Sequence, residues 1–177
     1  MGNLDLLDEE GNKTGEVIEF LDAHRTGKWH ACAHVWVYNS KGEVLLQKRG
    51  PNVMYPNLWD ISAAGHVDSG EEADQAALRE LFEETGIKVD KLKKVDVLIQ
   101  DINDGKIYNR EFDHIYMLKY DSENLNLNQS EVSELKFMPI DQFEKELNDK
   151  DASKKYMNYG DYYKVIIKAL RKELSEI

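Results

Sequence analysis

The chain has 177 residues, with 34 Asp and Glu against 23 Lys and Arg and a formal net charge of −11 at pH 7. This length corresponds to one domain, in which folding buries about 70% of the surface of the unfolded chain. The excess of acidic residues leaves no basic stripe to displace counterions, which excludes broad nucleic-acid binding but allows small phosphorylated ligands.

The sequence carries no sign of export or of a membrane. Its one cysteine, Cys32, cannot form an internal disulfide, and its apolar surroundings are typical of a buried, unreactive thiol. The first ten residues are acidic and lack the apolar core of a signal peptide, and no apolar run reaches the ~18 residues of a membrane span. We therefore expect a cytoplasmic protein without membrane partners.

The amino-terminal part of the chain predicts a hairpin and a loop. Two short runs, Leu4–Leu7 and Gly15–Leu21, flank the acidic turn Asp8–Asn12. The polar segment His24–His30 is predicted to be a loop. Residues 1–29 would then form an extension in front of the first long strand.

Two strands joined by a tight turn are predicted next. Ala31–Tyr38 is rich in β-forming residues, Asn39–Gly42 is a turn, and Val44–Arg49 is the partner strand. Lys48 and Arg49 lie at the end of that strand. We expect these two cations to bind substrate phosphates, with an exposed strand end as the alternative.

The segment 65–87 predicts a loop followed by about four turns of helix. Ser69 is a candidate N-cap, and Glu72 three residues later completes a capping box. Gly86 is placed to be the left-handed residue that ends the helix.

The last two turns of this helix hold three carboxylates, Glu80, Glu83 and Glu84. They lie at the negative end of the helix dipole, where each uncompensated carboxylate costs roughly 0.3–1 kcal/mol. Such a cluster favours a divalent cation, since Mg²⁺ takes oxygen ligands. The alternative is a solvated acidic helix end.

Downstream of this helix the pattern predicts three strands and two helices. The strands are Val95–Gln100, Arg110–Tyr120 and Leu135–Met138, with a hairpin turn at Asp104-Gly105. The helices run from Pro139 to about Leu147 and over residues 160–175, on either side of the polar linker Asn148–Lys155. These elements predict one α+β domain over residues 1–177, a mixed sheet sandwiched between helices (α/β/α).

The spacing within 65–87 carries a family resemblance. The motif consists of Gly65, Glu71 and the run Arg79-Glu80-Leu81-Phe82-Glu83-Glu84-Thr85-Gly86-Ile87. It resembles a complete Nudix box, the signature of hydrolases that cut a nucleoside diphosphate linked to another group. The resemblance implies the Nudix fold and a pyrophosphohydrolase that uses Mg²⁺, with Mn²⁺ as a possible substitute.

The resemblance also implies roles for individual residues. Glu83 and Glu84 are expected to bind Mg²⁺, and Glu80 either binds it or takes a proton from the attacking water. Arg79 is expected to fix a glutamate side chain. Glu71 is a candidate for the loop–helix junction or a second ion. Further candidates are Glu111 and Glu131 for the Mg²⁺ site and Gly65 for the backbone beside the substrate.

A second resemblance covers more of the chain. The matching stretches are His24, His30–Asn39, Leu45–Arg49, Gly65-His66 and Glu111–His114. They resemble isopentenyl-diphosphate isomerase and its hydrolase-like relatives. In that isomerase three histidines bind a metal, so His24, His30 and His66 are candidates for a second site of Zn²⁺ or Mn²⁺ type, with loop hydrogen bonding as the alternative.

Two other functions stay open beside the hydrolase. The isomerase needs an acid–base cysteine just before the matched histidine, where this chain has Ala64, and alanine can exchange no proton. The other open function is that of a binding or sensor domain that has the Nudix fold but no catalytic activity. The leaving group is not encoded: nucleotides, nucleotide sugars, dinucleotide cofactors, thiamine-type and isoprenyl diphosphates all remain, as do monomer and homodimer.

Overall fold

A computed structural model describes residues 2–176; Met1 and Ile177, which the single-domain prediction includes, lie outside the described residues. The strands within that range are β1 Asn3–Leu7, β2 Lys13–Glu19, β3 His30–Tyr38, β4 Glu43–Arg49, β5 Trp59–Asp60, β6 Ala63–His66, β7 Lys93–Asn103, β8 Tyr108–Lys119 and β9 Val132–Pro139. The helices are α1 Phe20–Thr26, α2 Ala73–Thr85, α3 Ile140–Asn148 and α4 Tyr162–Ser175, with a 3-10 turn at Ala152–Lys155.

A mixed seven-stranded sheet organises the molecule around β3. The strand order is β5-β4-β3-β8-β7, and β6 and β9 also pair with β3 and β4. β3 runs parallel to β8, with His30 beside Glu111 and Tyr38 beside Lys119, and antiparallel to β6. β1 and β2 form a separate antiparallel hairpin, as the sequence predicts.

Helices cover both faces of this sheet. On one face α2 packs Ala76, Ala77 and Leu81 against alternate residues of β3, including Val35. On the other face α3 and α4 pack against the remaining residues of β3, among them Trp36. The predicted α/β/α arrangement with a mixed sheet is therefore confirmed. Because β3 is buried on both faces, its side chains are apolar on successive positions rather than alternating.

The start of α2 differs from the prediction, and its end agrees. Glu72 is the N-cap, and Glu72 and Gln75 form the capping box, so the helix begins four residues after the predicted cap. The hydroxyl of Ser69 instead donates to Asp5 of β1 at 2.8 Å, which holds the hairpin against the loop. Gly86 ends the helix in the left-handed region, as predicted.

Three short elements were not predicted. The segment expected to be a loop contains α1, which turns Ala23 and His24 inward and ends at left-handed Gly27. β5 and β6 have two and four residues and are formed only by pairing with β4 and β3. Such short elements have no periodicity of their own, since tertiary pairing decides them. Within residues 2–176, no helix has the length and apolar character needed to cross a bilayer.

Candidate catalytic and metal-binding site

Arg79 lies at the centre of the acidic end of α2. Its Nε and Nη2 atoms donate to the two oxygens of Glu71, each at 2.9 Å. Its Nη1 donates to Glu80 at 2.6 Å and lies 3.5 Å from Glu83. Nη2 also donates to the carbonyl of His66 at 3.1 Å, which ties the helix to β6. These contacts, those to Glu71 foremost, raise the pKa of the guanidinium and fix the carboxylates around it.

Glu84 points into the space between α2 and the sheet. Its Oε2 accepts hydrogen bonds from Nε2 of Gln47 at 2.7 Å and from the backbone N–H of Ala64 at 2.9 Å. Burial, and then the nearby carboxylate of Glu80, raise the pKa of Glu84 well above its usual value. A carboxyl group in this position is stable only as the neutral acid or beside a cation.

Glu80 packs against β6 at Gly65. A Cβ atom at position 65 would collide with the Glu80 carboxylate, so only glycine allows this approach. Burial raises the pKa of Glu80 to about 7, although Arg79 opposes the shift. The charge of Glu131 contributes to the same increase.

The three predicted ligands share one end of α2 but do not converge. Glu80 is held by Arg79, Glu84 by Gln47, and the side chain of Glu83 is half exposed. Among the described residues, the groups of three or more potential ligands within 4.8 Å of one another lie elsewhere. Each carboxylate takes the donors available to it, which keeps the like charges apart.

The three histidines do converge, together with Glu111. The Nε2 atoms of His24 and His66 are 3.0 Å apart. Oε1 of Glu111 lies 3.3 Å from Nε2 of His30 and 3.7 Å from Nε2 of His66. One potential ligand atom from each of the four residues lies within 4.8 Å of the others. α1, β3, β6 and β8 each supply one of them.

The positions of the protons favour metal binding by this cluster. Nδ1 of His30 lies 2.8 Å from the carbonyl oxygen of Lys28 and must carry the proton there, so a neutral His30 turns the lone pair of Nε2 toward Glu111. Two electron-rich atoms facing each other repel unless a proton or a metal ion lies between them. Burial, followed by the neighbouring His66, lowers the pKa of His24 to about 4. Neutral imidazoles with one carboxylate suit ions such as Zn²⁺ or Mn²⁺.

Glu111 therefore has a different place from the one expected. The sequence analysis assigned it, with Glu131, to the magnesium site of α2. The parallel register of β3 and β8 puts Glu111 beside His30 instead. Burial acts to raise the pKa of Glu111, but the adjacent His30 and His66 outweigh it and hold the pKa well below its usual value.

Arg49 also differs from its expected role. Its Nε and Nη2 donate to the carbonyl of Met54 at 2.9 and 2.7 Å, and Nη1 donates to Asp60 at 2.8 Å. The guanidinium is thus taken up in shaping the loop 50–58 rather than free for a phosphate. Nζ of Lys48 lies 5.9 Å from the centre of the Trp59 ring and is the freer of the two predicted cations.

The sequence analysis did not assign several polar residues that lie at the site. Cys32 and His34 share the sheet face of His30, and Asp113 shares that of Glu111, because residues two apart in a strand point the same way. That spacing was a usable signal. No sequence signal pointed to Gln47, which donates to Glu84, because it lies on another strand and only the fold brings it close to Glu84.

A cavity of about 920 Å³ opens between α4, the 3-10 turn, the loop 50–58 and the β7–β8 hairpin. Gln100 and Asn109 line it from the sheet, and Gln100 donates to Asp113. Other lining residues are Tyr55, Tyr156, Tyr159, Tyr163, Lys164 and Lys168. Aromatic rings and cations together suit an anionic ligand with a planar or apolar part.

The chain was compared with known protein families and curated proteins. A family model described as NUDIX domain matches residues 28–159. Nudix hydrolase 3 of Arabidopsis thaliana is 34% identical over 176 residues; these are 92% of this chain but 22% of that protein, so the chain spans about a fifth of its length. An uncharacterized Nudix hydrolase of Clostridium acetobutylicum is 36% identical over 155 residues, covering 83% of this chain and 74% of that protein.

Similarity extends to an isomerase and to a solved structure. Isopentenyl-diphosphate Delta-isomerase 2 of Photorhabdus laumondii is 34% identical over 137 residues, 76% of each chain. A crystal structure of a Deinococcus radiodurans protein matches with a TM-score of 0.69 at 22% identity, covering 96% of this chain and 98% of that one. At that identity the structural match concerns the fold alone.

Proposed function

The chain belongs to the Nudix family, and from this premise we propose that it is a divalent-metal-dependent hydrolase that cleaves a phosphoanhydride bond of a small diphosphate substrate. The acidic end of α2 is the proposed catalytic centre. The observation that carries the proposal is a single helix end at which Glu84 is buried and Glu80 is largely buried, with the Glu80 carboxylate close enough to raise the pKa of Glu84. Within residues 2–176, Arg79 is the one basic residue that pairs with the Glu80 carboxylate.

The donor set at this end of α2 fits Mg²⁺. Buried Glu84 and largely buried Glu80, whose pKa values are raised, form an oxygen-rich site with half-exposed Glu83, and Arg79 offsets only part of its negative charge. We assign Glu83 and Glu84 as ligands, with Glu80 as a third ligand or as the base. Glu71 and Glu131 support this group, the first through Arg79 and the second from the facing loop.

The protein's own residues then perform defined tasks. A water adds to phosphorus, the anhydride P–O bond breaks, and Glu80 accepts the proton of the water. Arg79 holds Glu80 in place, and Gly65 leaves room for its carboxylate. Bound Mg²⁺ would polarise the phosphoryl oxygens and offset the charge on the leaving phosphate.

The leaving group is proposed to occupy the tyrosine-lined cavity. Four basic residues line it against two acidic ones, in a chain whose net charge is −11. They are Lys154, Lys164, Lys168 and Arg171 against Asp104 and Glu144. Ion pairs engage Lys154 with Asp151, Lys164 with Asp161, and Arg171 with Asp141 and Glu144. Among the described residues this leaves Lys168 as the cation of the wall that can attract a phosphorylated ligand.

The histidine cluster is proposed to be a separate metal site of Zn²⁺ or Mn²⁺ type. His24, His30, His66 and Glu111 supply the ligands. The backbone carbonyl that binds Nδ1 of His30 fixes the orientation of this ring, as the outer hydrogen bond of a metal-bound histidine usually does.

Isopentenyl-diphosphate isomerisation is the second candidate, and the histidine cluster favours it. Position 64 is Ala, and the structure adds one fact: Cys32 is paired with His66 on the neighbouring strand, so it lies closer to position 64 than its separation in the sequence suggests. Burial raises the pKa of the Cys32 thiol well above its usual value, which opposes an acid–base role. Incubation with isopentenyl diphosphate should release phosphate or pyrophosphate, or give no product; an allylic diphosphate would favour the isomerase.

A panel of diphosphate substrates with Mg²⁺ or Mn²⁺, scored by phosphate or pyrophosphate release, tests the hydrolase. Glu83→Gln should lower kcat by about a hundredfold or more with an unchanged melting curve, because the side chain is half exposed and serves the ion rather than the fold. Glu123→Gln, at another exposed glutamate, is the matched control. Full activity in Glu83→Gln would contradict the assignment.

A further inference from the structure

A second group of potential ligands lies directly beside the histidine cluster. It consists of Cys32, Glu111 and Asp113, and one potential ligand atom of each lies within 4.8 Å of the others. All three side chains are buried, and Asp113 is 0% exposed. Glu111 belongs to both groups, so the two sets of ligands share one carboxylate.

The register of two parallel strands builds this group. His30 is paired with Glu111 and Cys32 with Asp113 on successive same-face positions of β3 and β8. The backbone of two central strands therefore fixes the positions of these side chains. An arrangement that depends on strand register is rigid, in contrast to an acidic cluster on a loop.

Among the described residues, the carboxylate of Asp113 has a hydrogen-bond partner for only one of its two oxygens. Nε2 of Gln100 donates to Oδ2 of Asp113, whereas Oδ1 is buried and has no hydrogen-bond partner within residues 2–176. The nearest base is His34, whose Nε2 lies 3.4 Å from that oxygen. Burying a polar atom without a partner costs free energy, and buried carboxylates are normally paired or bound to a metal.

His34 does not supply the missing positive charge. Its Nδ1 lies 2.7 Å from the hydroxyl of Tyr162, and Nε1 of Trp36 donates to the same hydroxyl at 3.0 Å. The tyrosine proton is then directed to Nδ1, so His34 is neutral with its proton on Nε2.

We propose that a second divalent ion binds between Cys32, Glu111 and Asp113, with Glu111 bridging it to the ion of the histidine cluster. A thiolate with two carboxylates selects a borderline-soft ion such as Zn²⁺ or Co²⁺ over Mg²⁺. Binding replaces the thiol proton, and any proton on Asp113, which pass to solvent. The proposal depends on the histidine cluster only through Glu111 and does not depend on the hydrolytic reaction.

Cobalt titration of the metal-free full-length protein tests this ion directly. Thiolate-bound Co²⁺ gives a charge-transfer band in the near ultraviolet, which cobalt bound only by imidazole and carboxylate lacks. The wild-type protein should show this band as a second equivalent of Co²⁺ binds. Cys32→Ser should lose the band and bind the second equivalent about ten- to a hundredfold more weakly, while the first equivalent binds as before.

Two further samples separate this ion from that of the histidines. His24→Ala should weaken the first equivalent and keep the thiolate band, since His24 belongs to one group only. X-ray absorption of the zinc-loaded wild-type protein needs no variant and should detect a sulfur ligand, so the test survives if Cys32→Ser fails to fold. Absence of the thiolate band and of sulfur scattering in the wild-type protein, or identical cobalt titrations of wild type and Cys32→Ser, would overturn the proposal.

Discussion

Glu80 shows how a single residue of the motif combines packing with chemistry. Its carboxylate lies against Gly65, is held by Arg79 and has a pKa raised to about 7 by burial. A carboxyl group in such surroundings binds a proton or a cation more tightly than an exposed one does. The residue therefore destabilises the metal-free protein when it is ionised.

This property predicts a pH dependence. The folded-state pKa of Glu80 is raised from 4.5 to about 7, so the folded state binds the proton more tightly than the unfolded state does. The stability of wild type relative to Glu80→Gln should fall as pH rises from 4.5 to about 7, by up to roughly 3 kcal/mol at about 1.4 kcal/mol per pKa unit. Urea unfolding of both metal-free proteins at several pH values measures the difference. A difference that is constant over this window would contradict the assigned environment.

Single residues also mark the limit of sequence reasoning. The motif predicted the roles of Gly86 and Arg79 in the fold, because a helix end and an ion pair within one helix are local features. The sequence analysis expected Arg49 to bind a phosphate, whereas its guanidinium donates to Asp60 and to the carbonyl of Met54. Partners supplied by distant parts of the chain leave no local pattern.

At the scale of elements, the first half of β3 carries proposed metal ligands and its second half carries core residues. Its first same-face residues, His30 and Cys32, lie at the two proposed metal sites, and its later residues Trp36 and Tyr38 belong to the core under α4. The sequence predicted this strand and its partner β4 from their β-rich composition. It missed α1, because seven residues are too few to show helical periodicity, and α1 supplies His24.

The contact between β6 and α2 predicts the effect of Gly65→Ala. The added methyl group collides with the Glu80 carboxylate and should displace it, which should lower kcat at least about tenfold, since displacing a supporting group costs 10–100-fold. Steady-state kinetics with a good diphosphate substrate measures the change. Gly2→Ala is the matched control, because its Cβ would lie 3.7 Å from Asp68, at ordinary contact distance. Equal activity of Gly65→Ala and wild type would show that Glu80 need not occupy this position.

At the scale of the whole molecule, the fold joins the carboxylates, the histidines and the cavity. α2 supplies the carboxylates from one side of the sheet, and the histidine cluster comes from β3, β6, β8 and α1. The cavity lies under α4, and Gln100 in its wall donates to Asp113. The α/β/α architecture followed from the order of strands and helices, but the cavity did not, because its walls come from segments far apart in the chain.

The charge of the cavity predicts a substrate-binding effect. Lys168→Gln removes one cation from its wall and should raise KM roughly three- to tenfold with little change in kcat, since the residue is far from the reacting bond and serves attraction and binding. The increase should shrink at high salt. Lys172→Gln, on the same helix but outside the cavity wall, is the control. Equal KM values for the two variants would place the substrate elsewhere.

The central claim is that the acidic end of α2 binds Mg²⁺ for hydrolysis. Mg²⁺ titration followed by NMR tests it most directly, because Mg²⁺ prefers oxygen to imidazole and so reports on the carboxylates. We predict saturable shifts of the Ala64 amide and of the Gln47 side-chain amide, which both bind Glu84, and loss of these shifts in the variant with Glu83→Gln and Glu84→Gln. Unchanged signals in the folded wild-type protein, or equal shifts in the double variant, would contradict the account.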